Sequence, residues 1–346
     1  MRGLLAVLVV AVGYGAWVAF SVWLSFRSID RVSAASEAAS ERLTAIPAAE
    51  RLAAPAEAWA RDRLPPYDLT LATSPALPDE QFHAFLIIGS DSRVGRFADS
   101  QADVILLVLF PSDGSSPLMV SIPRDLYLPN PCYATLTRIN YALHGCGEYA
   151  NGPQLLSSMV TTFTGIRPDH FVLVGLEDFV RVIDTLGGYQ ICPEYPVRDI
   201  IGTGINFPAG CSLIGGQDTL WWIRSRHLEQ FVDGEWQPVP GTSDLDRNQH
   251  QQEVLLAMLG KLKSFRSITS LASLADSLAD AVTIDDQSSM TDMIRLAWGM
   301  RDLDAASIQR FTIPLTRFVA TGGAKVLLPE ASFADVLADA GVDTSP

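Results

Sequence analysis

The stretch "FHAFLIIG" (82–89) decides the fold, because it is the first apolar, β-rich run of the chain with turn-forming residues on both sides. Two similar runs follow at once, "DVILLVLF" (103–110) and "LMVSI" (118–122), with the turn-rich "PSDGSSP" between them. Their near-continuous apolar content marks central strands buried on both faces. Beyond them the period changes. "GPQLLSSMVTTFTG" (152–165) and "LEDFVRVIDTLGG" (176–188) place apolar residues three and four apart and end in glycine, the usual helix stop. The strongest helix is "SDLDRNQHQQEVLLAMLGKLKS" (243–264), with Ser243 as N-cap and Asp246 three residues on. "ITSLASLADSLADAV" (268–282) and "MTDMIRLAWGM" (290–300) add helices, and "RFTIPL" (310–315) adds a late strand. Strands interleaved with helices predict an α/β domain over residues 81–346, a single mixed central sheet covered by helices on both faces.

Upstream of that domain the chain reads differently. From Leu4 to Phe26, after a tail of three residues, the sequence carries no charge and is long enough to cross roughly 30 Å of hydrocarbon as one transmembrane helix. A cleaved secretory signal is the competing reading, but the run is longer than a usual signal core and no small-x-small site ends it. Both readings export the bulk of the chain, and the anchor makes the cell membrane the expected location, with the domain extracytoplasmic. Residues 27–80, rich in Ala, Glu and Arg and then in Pro, read as a stalk of interrupted helix.

Cysteine usage agrees with export. Cys132, Cys146, Cys192 and Cys211 all lie beyond residue 81, an even count that suits two disulfides between sequence neighbours. A zinc site is disfavoured by the lack of any Cys-x-x-Cys pair. Of the 346 residues, 48% are apolar, enough for a substantial core. Acidic side chains outnumber basic ones 39 to 25, for a net charge of −14, which excludes nucleic acid as a partner held by its phosphate backbone. In such a chain a cluster of arginines needs a local reason.

The strand order supplies one. If the first three strands run up, down and up, Asp91 and Arg93 of "SDSR" leave the first strand at the rim where Asp103 opens the second and Arg124 follows the third. Hard carboxylate oxygens hold Mg²⁺ together with substrate phosphates, and the guanidinium fork fits phosphate oxygens two at a time. Ordinary surface salt bridges are the bland alternative. "WWIRSRH" (221–227) adds Arg224 and Arg226, which in extended conformation project the same way and repel unless an anion lies between them. On the helix near Asp244, Arg247 and Gln251 begin the stripe that continues as Val254, Leu255, Met258 and Leu262, so polar groups must meet partners or line a cavity. The histidines His83, His144, His170, His227 and His250 show no ligand spacing and read as structural, with His227 and His250 beside the arginine motifs as bystanders to phosphate in the alternative, and the Trp221–Trp222 pair reads as packing, with sugar stacking as its alternative. "GTGINFPAG" (202–210) reads as a loop inside the second disulfide. No nucleophile elbow or Walker loop is present.

Seven blocks, "LIIGSDSR", "ADVILLVLF", "MVSIPRDLYLP", "RINYAL", "LGGYQIC", "GGQDTLWWIRSRH" and "SDLDRNQHQQ", resemble in order and spacing the signature of the LytR-CpsA-Psr proteins. The resemblance covers about residues 82–260. It implies a membrane-anchored, Mg²⁺-dependent phosphotransferase that moves a glycopolymer from a polyprenyl-pyrophosphate carrier onto peptidoglycan through a phosphodiester. It also implies roles. Asp91 and Asp103 are similar to the family's metal-linked aspartates, and Arg93, Arg124, Arg224 and Arg226 to its pyrophosphate-binding arginines, with Arg138 where many members have lysine. Asp244, Arg247 and Gln251 match the helix block. His250 stands where arginine is common, and "HGCGEYANG" (144–152) lacks the usual paired glycine. The cysteines, the acidic balance and the Ala-rich stalk are similar to actinobacterial members, for which the polymer would be arabinogalactan. The rival expectations are a polyprenyl-pyrophosphate hydrolase using the same site, and a non-catalytic membrane regulator or lipid-binding scaffold.

Overall fold

The computed structural model describes residues 20–34, 37–47, 51, 67–91, 100–133, 135–239, 244–264, 276, 279–290, 307–320, 324–339 and 341–342. At its centre the strand Phe82–Ser90 pairs antiparallel with Ala102–Pro111, which pairs antiparallel with Leu118–Ser121. The expected up-down-up order holds. On the other side Phe82–Ser90 runs parallel to His170–Gly175. The full seven-stranded sheet is mixed, with Asp30–Val32 and Val282–Asp285 at one edge and Gln309–Thr312 at the other.

Alternation along Phe82–Ser90 sends side chains to two covered faces. Ala84, Leu86 and Ile88 join Ile105, Leu107 and Leu109 in the largest apolar cluster, against Leu155, Leu156, Met159, Val160 and Phe163 of the helix Gly152–Thr164. That helix starts with a full capping box between Asn151 and Gln154 and stops at Gly165, whose φ of 73° is the left-handed conformation that glycine adopts freely. The opposite face carries Phe85, Val108 and Met119, met by Leu255 and Leu256 of the helix Asp244–Ser264. Each fully buried Leu or Ile contributes about 1.5–3 kcal/mol, so both layers matter to stability.

Several local expectations are corrected. Within residues 27–80, read as a stalk, Asp30–Val32 is an edge strand of the main sheet, paired with Thr283–Asp285, and Leu43, Ile46 and Ala72 enter the main core. The segment "GTGINFPAG" is not a plain loop, because Ile205–Phe207 pairs antiparallel with Val197–Asp199. That hairpin extends into a second, four-stranded sheet with Glu229–Val232 and Glu235–Pro238. The cysteines pair as Cys132–Cys146 and Cys192–Cys211, the latter bridging a two-stranded ladder that joins Tyr189–Ile191 to Ser212–Ile214. Among the described residues no helix is long and apolar enough to cross a membrane. Most of the apolar run Leu4–Phe26 lies outside the described residues, and so do Arg93, Ser243 and most of the two helices expected over 268–282 and 290–300.

Candidate active site

The rim anticipated from strand order exists. Asp103 follows the first residue of its strand, and Arg124 lies three residues after Leu118–Ser121 ends, where Nη1 of the arginine donates to Oδ1 of the aspartate. Both belong to a pocket of about 260 Å³ that is also lined by Arg224, Arg226 and Gln251. Residues from positions 103 to 251 therefore share one concavity. Two carboxylate–guanidinium partners at its wall, and two further guanidinium groups facing them, give a site whose positive charge exceeds its negative charge. That excess suits a multiply charged anion such as a pyrophosphate.

Arg224 and Arg226 reach the pocket by another route than the one expected. They do not share an extended segment. Arg224 is the last residue of the helix Gly216–Arg224, with Asp218 in its first turn. Ser225 then turns the chain outward, and the buried carboxylate of Asp199 fixes that turn. Asp199 Oδ2 accepts from Ser225 Oγ at 2.6 Å and from the backbone N–H groups of Arg226 at 3.2 Å and His227 at 3.4 Å. Burial raises the pKa of Asp199, but these bonds and the one from Gly202 outweigh it and hold the carboxyl below its ordinary value.

Behind the rim a further carboxylate, Asp125 of "PRD", organises the basic groups. Asp125 accepts from Arg138 Nη1 at 3.1 Å and lies 3.7 Å from Arg124 Nε. Arg138 also stands over the Tyr141 ring at 5.5 Å, and it is not among the residues lining the pocket. Asp91, just past the end of the strand Phe82–Ser90, accepts from the Gln101 N–H at 3.2 Å, and Gln101 Oε1 accepts from Asn140 Nδ2 at 3.1 Å. Asn140 in turn donates its backbone N–H to the Arg124 carbonyl at 3.2 Å. One hydrogen-bonded chain thus runs from Asp91 to Arg124. Among the described residues the buried Arg124 Nε and Asn140 Oδ1 atoms make no hydrogen bond.

A second cavity adjoins the first. It has a volume of about 240 Å³ and lies between the sheet face of Ile87, Gly89 and Val104 and the helices carrying Phe179, Val254 and Met258. Val104, Leu176, Ile223 and Gln251 line both, so the polar pocket opens directly onto an apolar groove. Gly89 keeps the floor open, since a Cβ there would stand 2.9 Å from Val104 Cβ. The apolar stripe read from the helix, Val254, Leu255 and Met258, is the wall of this groove, and Gln251 marks the junction.

The LytR_cpsA_psr family model matches residues 60–339. The chain belongs to the LytR-CpsA-Psr family. It is 29% identical over 279 residues to the cell wall biosynthesis protein LcpA of Corynebacterium glutamicum, covering 68% of this chain and 51% of that one. It is 28% identical over 201 residues to a polyisoprenyl-teichoic acid–peptidoglycan teichoic acid transferase, TagU, of Oceanobacillus iheyensis, covering 58% of each. The chain thus spans about half to three fifths of the length of these curated relatives. Among solved structures, a LytR-Csp2A-Psr enzyme from Actinomyces oris superposes with a TM-score of 0.59 at 26% identity, over 79% of this chain and 98% of that one.

Of the residues that the LytR-CpsA-Psr resemblance singled out, Asp103, Arg124, Arg224, Arg226 and Gln251 meet in one pocket. Asp91 stands at the same rim, and Arg138 lies one ion pair behind it. Arg93 and the side chains of Asp244 and Arg247 lie outside the described residues. His250 packs its ring 4.3 Å from that of Trp222. Asp125 and Asp199 were not anticipated, although the "PRD" triplet was a usable signal for the first. The donor set also suits a hard cation. Among the described residues no group of three or more His, Cys, Asp or Glu is placed to hold a metal.

Proposed function

We propose that this protein is a membrane-anchored, extracytoplasmic transferase that moves a glycopolymer from a polyprenyl-pyrophosphate carrier onto peptidoglycan. The observation that carries the reading is the continuity of the arginine pocket with the apolar groove through Val104, Leu176, Ile223 and Gln251. A lipid diphosphate needs that pairing of environments side by side. The names of the two relatives, one in cell wall biosynthesis and one a teichoic acid transferase, support the same class. Leu4–Phe26 serves as the anchor. The polymer is arabinogalactan, in line with the features this chain has in common with actinobacterial members.

In this mechanism the prenyl chain lies in the groove and the diphosphate on Arg124, Arg224 and Arg226, joined by Arg93 and Arg247. A muramic acid hydroxyl oxygen bonds to the glycan-side phosphorus while the bond from that phosphorus to the bridging oxygen breaks. Polyprenyl phosphate leaves with the electron pair. Asp91 or Asp103 accepts the hydroxyl proton. The fixed guanidinium groups stabilise the charge that develops on the departing oxygen, an effect worth about 10²–10³-fold in rate per donor. Mg²⁺, held by Asp91 and Asp103 with phosphate oxygens, would supply further positive charge there.

The test is to incubate the full chain in detergent with Mg²⁺, a polyprenyl-pyrophosphoryl glycan and peptidoglycan, and to seek glycan joined by a phosphodiester. Joined product that depends on Arg124 supports the reading. Release of free glycan phosphate at the same rate without peptidoglycan shows a hydrolase instead, and the absence of any turnover favours the scaffold.

A further inference from the structure

The transfer reading places the prenyl chain and the diphosphate but leaves the other end of the donor without a seat. Arg224 and Arg226 also line a separate cavity of about 370 Å³, with Gly202, Thr203, Trp221 and His227. That volume falls within the roughly 300–1,000 Å³ usual for small-ligand sites. The two cavities share only the arginine pair, and the apolar groove adjoins just one of them. A diphosphate diester seated on Arg224 and Arg226, with its lipid in the groove, directs its second substituent into this space. We propose that this cavity is a saccharide subsite, in which the first sugar on the glycan side of the diphosphate stacks on the Trp221 indole.

The residue types fit a sugar ring, which presents a flat C–H face and a rim of hydroxyl groups. Trp221 is 39% exposed, whereas Trp222 beside it is 8% exposed and packs on Phe207 and His250. An indole held at the surface of a cavity offers a large rigid apolar face with little conformational entropy to lose on binding. Trp221 and Arg224 are three apart on one helix, so stacking platform and phosphate contact are neighbours. Among the described residues the buried Thr203 hydroxyl finds no hydrogen-bond partner, which is costly unless a bound hydroxyl supplies one.

The site is also built to hold its shape. The carboxylate of Asp199 that fixes the Ser225–His227 turn accepts from the Gly202 N–H at 2.7 Å, so one buried group ties the Thr203 loop to the arginine segment. A Cβ at position 202 would stand 2.8 Å from Asp199 Oδ2, which leaves room only for glycine.

This inference rests on the donor reading, and calorimetry on the full chain in detergent separates the two. The probes are geranylgeranyl methyl diphosphate, a sugar-free diester of matched charge, and the corresponding diesters of glucose, galactose and N-acetylglucosamine. With the unaltered protein, at least one sugar diester binds about fivefold to tenfold more tightly than the methyl diester. Trp221→Ala brings that ratio to near one, Trp221→Phe keeps most of it, and Thr203→Val lowers it about threefold. The subsite is overturned if the methyl diester binds and no sugar improves on it, or if Trp221→Ala, melting as the unaltered protein does, keeps the full ratio. If neither methyl nor sugar diesters bind, the donor reading falls and the subsite falls with it.

Discussion

The two ends of the central sheet use the same residue types for opposite purposes. At the rim where Phe82–Ser90 ends, Asp103 and Arg124 face a cavity with Arg224 and Arg226, and among the described residues the buried Arg124 Nε there makes no hydrogen bond. At the far end, where the same strand begins, carboxylates meet histidines. Asp285 accepts from His170 Nδ1 at 3.2 Å, Ser288 Oγ at 2.6 Å and the Phe171 N–H at 3.2 Å, and it is wholly buried. Nearby, Asp169 accepts from the Ala84 N–H at 2.7 Å and pairs with His83 at 3.2 Å. These partners of the two groups all belong to the protein itself. A carboxylate saturated by its own chain is a fastening, whereas one that shares a cavity with surplus arginines is equipped to meet a ligand.

The largest effect should fall on activity at the first end. Arg124→Ala is expected to lower transfer about 10²–10³-fold, read from product formation under saturating donor, while the melting temperature drops only a few degrees. A loss of activity no greater than the loss of folded protein would mean that the rim is another fastening. At the second end the order reverses. Asp285→Asn should remove about 2–3 kcal/mol of stability by chemical denaturation, because His170 and Ser288 lose a buried acceptor, with kcat unchanged wherever the variant is folded. If this variant is as stable as the original, the distinction between the ends collapses.

The sequence reveals the first end far better than the second, for a physical reason. Three apolar runs that follow one another along the chain admit few arrangements, so the strand order, and with it the meeting of Asp103 and Arg124, follows from local pattern. Asp285 finds His170 across 115 residues, and nothing in the sequence near either marks the pairing. Asp30–Val32 is three residues long and pairs with a strand some 250 positions away, too short for alternation to register. Arg224 and Arg226 line one pocket but on another scaffold than their spacing suggests, because two-residue spacing reads as a strand while Asp218 and the apolar Leu220, Trp222 and Ile223 continue a helix up to Arg224. Asp199, which secures that turn, is a single acidic residue whose hydrogen-bond donors in the turn lie 26 to 28 positions away.

A smaller effect sharpens the first end from its apolar side. Met258→Glu puts a charge on the groove wall, and the Michaelis constant for a long-chain donor should rise about tenfold, with a much smaller change for a short-chain analogue. An equal rise for both chain lengths would place the lipid elsewhere.

The smallest effect is a pH dependence confined to the second end. Burial raises Asp285, but the hydrogen bonds from His170 and Ser288, the electrostatic pull of His170 and the Phe171 N–H outweigh it, and the carboxyl titrates below its ordinary value. Asp169 is lowered likewise, burial being outweighed by His83, the Ala84 N–H and His170. A carboxylate whose folded-state pKa is depressed contributes stability at any pH above its unfolded value of about 3.9, and that contribution is lost as pH falls through the folded value. The stability gap between the original protein and Asp285→Asn should therefore narrow below about pH 4, because acid removes from the original the charge that the variant already lacks. Melting curves at half-unit steps of pH decide the matter. A gap that stays constant into acid would show that Asp285 contributes through shape rather than charge, and the far end would then be held by packing alone.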